Sequence, residues 1–183
     1  MKKRAWKFFL LGLLLLLLLR GPLFRWCIRY EYTNEQEIYR LQDETLLAQL
    51  RAEVDKAPDG DIWHWAKFAQ SFTARQLRFV TAPESSLPER AWEIGEAHCV
   101  GYAALMGGVL EEVYRLKRDK ILLPLEVTHC RGEIYFLAWR LTGPDRPAFF
   151  RDHDFIYVHS SVYSNAETYD AAVFDYLRIR RVL

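Results

Sequence analysis

Cysteine is scarce: the 183-residue chain has only Cys27, Cys99 and Cys130, too few for a disulfide framework. An odd count leaves at least one thiol free in any monomer, although a single Cys99–Cys130 bridge stays open for a domain facing an oxidising compartment. Paired metal ligands are lacking as well. No Cys-x-x-Cys or His-x-x-x-His occurs, so neither a metal nor another cofactor is expected. There is no excess of one charge: 25 Lys and Arg against 24 Asp and Glu leave a formal net charge of +1. Without a basic stripe to track phosphates, nucleic acid is not an expected partner. The sequence also has no internal repeat, and no low-complexity tract beyond one leucine run.

Apolar residues are plentiful: 51% of the chain is hydrophobic and 15% aromatic, enough for one domain with a sizeable core. The apolar run is at the N-terminus, where basic "MKKRAWK" leads into "FFLLGLLLLLLL" (Phe8–Leu19) and stops at Arg20. As a helix that run is about 18 Å long, short of the ~30 Å hydrocarbon layer. Extending it from Trp6 to Trp26 reaches the required length, with tryptophans at both ends and Arg20 able to snorkel. "RGPLFRWC" has no Ala-x-Ala site, which favours an uncleaved anchor over a removed signal. Residues 1–30 therefore read as a membrane anchor with flanks, and 31–183 as the domain. Lys2, Lys3, Arg4 and Lys7 favour a cytoplasmic N-terminus against Arg20, Arg25 and Arg29 beyond the run. The body is accordingly expected outside the cytoplasm.

Along the domain, Asn34 with Glu37 three residues later resembles a helix cap, and Ile38, Leu41, Leu46, Leu47, Leu50 and Val54 extend a helix over 35–56. A second helix is predicted over Ile62–Thr73, which "TARQLRFV" either extends or follows with a short third helix. "TAPESSLPER" reads as a loop. A helix then runs from about Cys99 to Lys117. After it the character turns to strands: "ILLPLEVTHC" and "GEIYFLAWRL" form a hairpin about Arg131-Gly132. "AFFRDHDFIYVHSSVY" alternates, with His153, Phe155, Tyr157 and His159 on one face and Ile156 and Val158 on the other. "SNAET" is a turn, and "YDAAVFDYLRIRRVL" is a final strand or short helix. Helices first and strands last make the fold class α+β.

The chemistry, if present, centres on "GEAHCVGYAAL" (Gly95–Leu105). Cys99 starts a helix, where unpaired N–H groups and the positive dipole end favour a thiolate and can stabilise an oxyanion. Free cysteine is also a common buried packing residue, so this stretch alone decides nothing. A nucleophilic thiol needs a base and a group to orient that base. His153 opens the alternating strand, and Asp170 follows seventeen residues later; adjacent antiparallel strands would bring the two together. His159 and Asp175 offer a second pair of similar spacing. His129 and Cys130 are neighbours on a strand, point to opposite faces and do not suit one site. Trp63 and Trp65 read as helix packing. Trp92 is either core or cleft lining.

Taken in order, these motifs resemble the transglutaminase-like branch of the papain-type fold over residues 60–178. The cysteine helix of that family usually reads Gly-x-Cys-x-x-[Phe/Tyr]-[Ala/Ser], which Cys99, Tyr102 and Ala103 match. "HDFIYV" resembles its histidine motif, "YDAAVF" its aspartate turn, and "SSLPERAWEIGEAHC" its proline-containing approach to the nucleophile. The glycine usually placed two residues before the cysteine is Ala97 here, with Gly95 nearby and His98 directly before the thiol. The resemblance implies a nucleophile helix packed on an antiparallel sheet. It also implies a Cys99–His153–Asp170 triad acting on an amide or peptide bond of a protein or peptide substrate, by hydrolysis or transfer to an amine. The same fold with an idle triad, serving as a membrane-anchored interaction module, is the other reading.

Overall fold

The computed structural model describes residues 2–121, 125–147, 150–160 and 165–182. The chain is α+β. Helix α1 (Lys2–Cys27) runs directly into strand β1 (Ile28–Gln36), which crosses the expected boundary at residue 30. The helix predicted over 35–56 is shorter than expected: α2 spans Glu44–Lys56, and its cap is Asp43, whose Oδ1 accepts from Leu46 N at 2.8 Å. Asn34 is instead a strand residue paired with Arg131. The local capping signal loses to a nonlocal ladder, because extended Ile28, Tyr30 and Tyr32 pair across a partner strand over most of β1.

Helix α3 (Ile62–Gln76) extends through "TARQ" and is capped by Asp61 Oδ1 accepting from His64 N. The end of the predicted loop "TAPESSLPER" is helical, since α4 (Pro88–Ile94) begins with Pro88 in its first turn. Gly95 closes α4 with φ +78°, a left-handed turn that suits glycine. Helix α5 (Cys99–Leu116) follows, with Lys117 as its C-cap. A short parallel pair, β2 (Arg78–Phe79) with β3 (Glu96–Ala97), ties the end of α3 to the approach to Cys99.

The hairpin expected at Arg131-Gly132 does not form. β4 is one strand, Leu125–Phe136, and the chain turns at Leu137-Ala138 into β5 (Trp139–Arg140). Gly132 marks a close approach rather than a turn. A Cβ there would lie 2.2 Å from Glu31 O, beside the register shift between Tyr32 and Asn34 of β1. β6 (His153–Ser160) alternates as expected. "SNAET" contains strand β7 (Asn165–Tyr169), with Ser164 outside the described residues, and "YDAAVF" opens helix α6 (Ala171–Leu177).

The main sheet is antiparallel in the order β1-β4-β6-β7, with β5 beside β4. Its inner face sends Ile156 and Val158 against α5, where Leu105, Met106, Val109 and Leu110 complete a core shared with Trp65 and Phe72 of α3. Each such fully buried side chain contributes about 1.5–3 kcal/mol. On the outer face Tyr30, Cys130 and Phe155 are covered by Ile179 and Val182 from the C-terminal segment, with Phe24 of α1 packed alongside. The helix–sheet sandwich thus sets the start of α5 beside the start of β6.

Candidate active site

Cys99 occupies the first position of α5, only 8% exposed. By helix geometry the first-turn N–H groups have no carbonyl partner within the helix. His98 stands at the cap with extended backbone, yet its side chain makes no cap hydrogen bond and its Nε2 sits 3.4 Å from Ser86 Oγ. Ala97 is fully buried, and a Cβ on Gly101 would lie 2.8 Å from the Ala97 Cβ. The alanine before the thiol therefore requires the glycine one turn on. Gly101→Ala is expected to lower stability by about 1–3 kcal/mol through overpacking. Denaturant unfolding measures this, and the double change Ala97→Gly/Gly101→Ala should recover most of the loss.

His153 opens β6, and its Nε2 lies 2.6 Å from Asp170 Oδ2. The pairing follows from register: Ile156 of β6 faces Tyr169 of β7, so Asp170 leaves the sheet abreast of Phe155, one step from His153. Asp170 is also the N-cap of α6, with Oδ1 accepting from Val173 N at 2.9 Å. The Tyr30 hydroxyl donates to Asp170 Oδ2 at 2.8 Å, and Gln70 Nε2 donates to the Asp170 carbonyl at 3.2 Å. The Tyr30 ring meets the His153 ring edge-on at 5.8 Å. The His153 ring is near enough to Cys99 for the two to interact electrostatically. With Nε2 committed to Asp170, Nδ1 is the ring nitrogen left for the thiol.

The charges are coupled. Burial disfavours the protonated His153 ring, but the Asp170 carboxylate and then Cys99 outweigh it and raise its pKa well above the ordinary histidine value. Burial alone would raise Asp170; the His153 ring, the Val173 N–H and the Tyr30 hydroxyl instead hold it below the usual carboxylate range. Burial, then Asp170, pushes the Tyr30 phenol well up, so it stays a donor. Cys130, in the outer-face cluster, is pushed up to about 12, chiefly by burial and then by Glu35. All three cysteines are free thiols.

Beside this group lies a second one. Arg131 holds Asp154 with two prongs, Nε to Oδ1 at 2.8 Å and Nη2 to Oδ2 at 3.1 Å, while His129 Nε2 stands 2.9 Å from Asp154 Oδ2. Burial opposes the Asp154 charge, yet His129 and Arg131 hold that carboxyl below its usual value. The network clamps β4 to β6 directly behind His153. His129 and Cys130 do point to opposite faces, one into this network and the other outward.

The alternative pair is not brought together. His159 lines a groove of about 440 Å³ on the outer face with Tyr30, Cys130 and Tyr157, and its ring nitrogen is 3.8 Å from Glu126. Asp175 Oδ2 is 2.9 Å from the Tyr102 hydroxyl, which also lies 2.9 Å from the Leu77 carbonyl oxygen. Trp65 is core, and Trp63 and Trp92 pack against it. Among the described residues, no group of three or more His, Cys, Asp or Glu side chains is placed to hold a metal ion.

Tyr30, Gln70 and the Arg131–Asp154–His129 network were not singled out by sequence reasoning. The alternation Ile28, Tyr30, Tyr32 was the available signal for Tyr30, had the segment been read as a strand. Comparison of the chain with family models, with curated proteins and with solved structures finds no match.

Proposed function

We propose that the chain is a membrane-anchored cysteine enzyme of transglutaminase-like, papain-type architecture, acting on an amide or peptide bond. The single observation that carries the reading is the 2.6 Å contact between His153 Nε2 and Asp170 Oδ2, in a ring near enough to Cys99 to interact with it electrostatically. Cys99 passes its proton to His153 as the sulfur attacks the carbonyl carbon, forming an S–C bond while the C=O electron pair moves onto oxygen. The oxyanion is met by first-turn N–H groups of α5. His153 then gives its proton to the leaving nitrogen as the C–N bond breaks, and Asp170 keeps the ring oriented and offsets its charge. Water or an amine, deprotonated by His153, attacks the thioester and returns the thiol. In this reading α1, long and apolar enough by length and composition to cross a membrane, holds the domain on the extracytoplasmic side.

The test is thiol alkylation of the intact chain by iodoacetamide, with each cysteine followed by mass spectrometry. Cys99 is expected to react at least about tenfold faster than in the denatured chain, as a nucleophile served by a neighbouring base does, while Cys130 stays inert. A native Cys99 rate no higher than the denatured one overturns the enzymatic reading and leaves a non-catalytic domain.

A further inference from the structure

The end of the domain nearest α1 is unusually apolar for a solvent-facing surface. Trp26, in the last turn of α1, and Trp139, at the start of β5, are each 77% exposed. Between them in space is the β4–β5 turn, with Phe136 and Leu137 also exposed and Leu141 exposed just beyond. Leu137 N donates to the Cys27 carbonyl at 2.6 Å, and Phe136 pairs with Ile28, so the turn stands level with the end of the apolar helix. Leu137 itself has φ +54°, a left-handed conformation in which a leucine is strained and a glycine or asparagine is at ease. A strained leucine, 52% exposed at a turn tip, costs stability and gives the fold nothing in return.

We propose that this end of the domain, Trp26 with Phe136, Leu137 and Trp139, beds into the headgroup region of the bilayer that α1 crosses. Tryptophan is the side chain enriched at that depth, its apolar ring and N–H matching a layer that is half lipid and half water. Trp6, also exposed, lies at the far end of the same helix, twenty residues or about 30 Å from Trp26. The two tryptophans of α1 thus mark the two interfaces, and Trp139 lies at the level of one of them. The domain rests on the membrane by two points, the helix and the turn, which fixes its tilt. Gly132, paired with His153, is five residues along β4 from Leu137, so the site is held within about 17 Å of the lipid. The inference rests on α1 crossing the membrane, and is independent of the chemistry at Cys99.

The experiment uses the full chain in phosphatidylcholine vesicles with or without 6,7-dibromo-phosphatidylcholine, whose bromines quench tryptophan near the interface. Trp6→Phe/Trp26→Phe is compared with the same chain also carrying Trp139→Phe. The remaining tryptophans are common to both, so the difference between them isolates Trp139. Loss of more than half of that difference emission in the brominated vesicles is the expected result. Trp139 emission unchanged by bromine, while the wild-type chain loses Trp6 and Trp26 emission, overturns the resting turn and leaves the anchor intact. No quenching of Trp6, Trp26 or Trp139 overturns both the resting turn and the anchor.

Discussion

Asp170→Ala is expected to destabilise the domain by about 3–5 kcal/mol, the range found when one partner of a buried ion pair is removed. Asp170 concentrates three separate roles in one carboxylate. Its Oδ2 receives His153 and the Tyr30 hydroxyl, its Oδ1 caps α6 through Val173 N, and almost none of it is exposed. Alanine would strand a buried imidazole and a buried phenol and uncap a helix in one step. Asp170→Asn separates these losses, because an asparagine oxygen can still cap α6 and the volume is kept. Its cost should fall to about 1–2 kcal/mol, in line with a lost charge-assisted hydrogen bond.

The pH dependence has a definite sign. Because the folded Asp170 value is depressed, its contribution is complete above the unfolded value of about 3.9 and is lost as pH falls through the folded one. Because the folded His153 value is raised, its contribution is complete below about 6.5 and is lost as pH rises through the folded one. Asp170→Asn should remove both limbs. Urea unfolding of wild type and variant from pH 3 upward measures this, and equal slopes in the two proteins would refute the coupling.

What the sequence made legible divides by the range of the interactions. α3 and α5 could be read because their apolar spacing is local and strong, and Trp65, Phe72, Met106 and Val109 all reach the core. β6 could be read because one side chain in two is apolar and aimed at α5. β1 could not, because Asn34 and Glu37 send a local cap signal while the partner of the strand lies nearly a hundred residues on, Thr33 Oγ1 meeting Arg131 O across 98 positions. Gly132 misled for a related reason. A glycine forced by the close approach of Glu31 O has the same one-letter signature as one demanded by a turn.

The site divides the same way. His153 opens β6 and Asp170 directly follows the adjacent strand β7, seventeen residues later, close enough for strand alternation and spacing to bring them together. Tyr30 and Gln70 reach Asp170 from 140 and 100 residues away. Nothing local in either segment marks the contact. The buried Asp154 also escaped, since "HDF" drew attention to the histidine rather than to the carboxylate behind it. Recognising it required knowing that Arg131 stands opposite Asp154 in an unbroken β4.

His153→Ala is expected to slow alkylation of Cys99 about 100-fold at pH 7, the lower range for removing a positioned acid–base group. The argument turns on which charge the ring carries. Asp170 keeps His153 protonated beyond the ordinary histidine range despite its burial, so near neutrality an imidazolium stands close enough to the sulfur to stabilise negative charge developing there. The variant keeps the start of α5 and loses that cation. As pH climbs through the raised His153 value the wild-type ring becomes neutral, so the advantage of wild type over His153→Ala should narrow steadily on the alkaline side. Asp170→Asn should lose part of the same advantage and begin narrowing at lower pH, because the ring then gives up its proton sooner. Tyr30→Phe leaves the ring and the carboxylate in place and should change the rate by less than about tenfold, since it removes one hydrogen bond to Asp170 and no charge. A His153→Ala chain alkylated at the wild-type rate across this range would show that Cys99 owes nothing to His153, and that the dyad with Asp170 serves to pin β6 to α6.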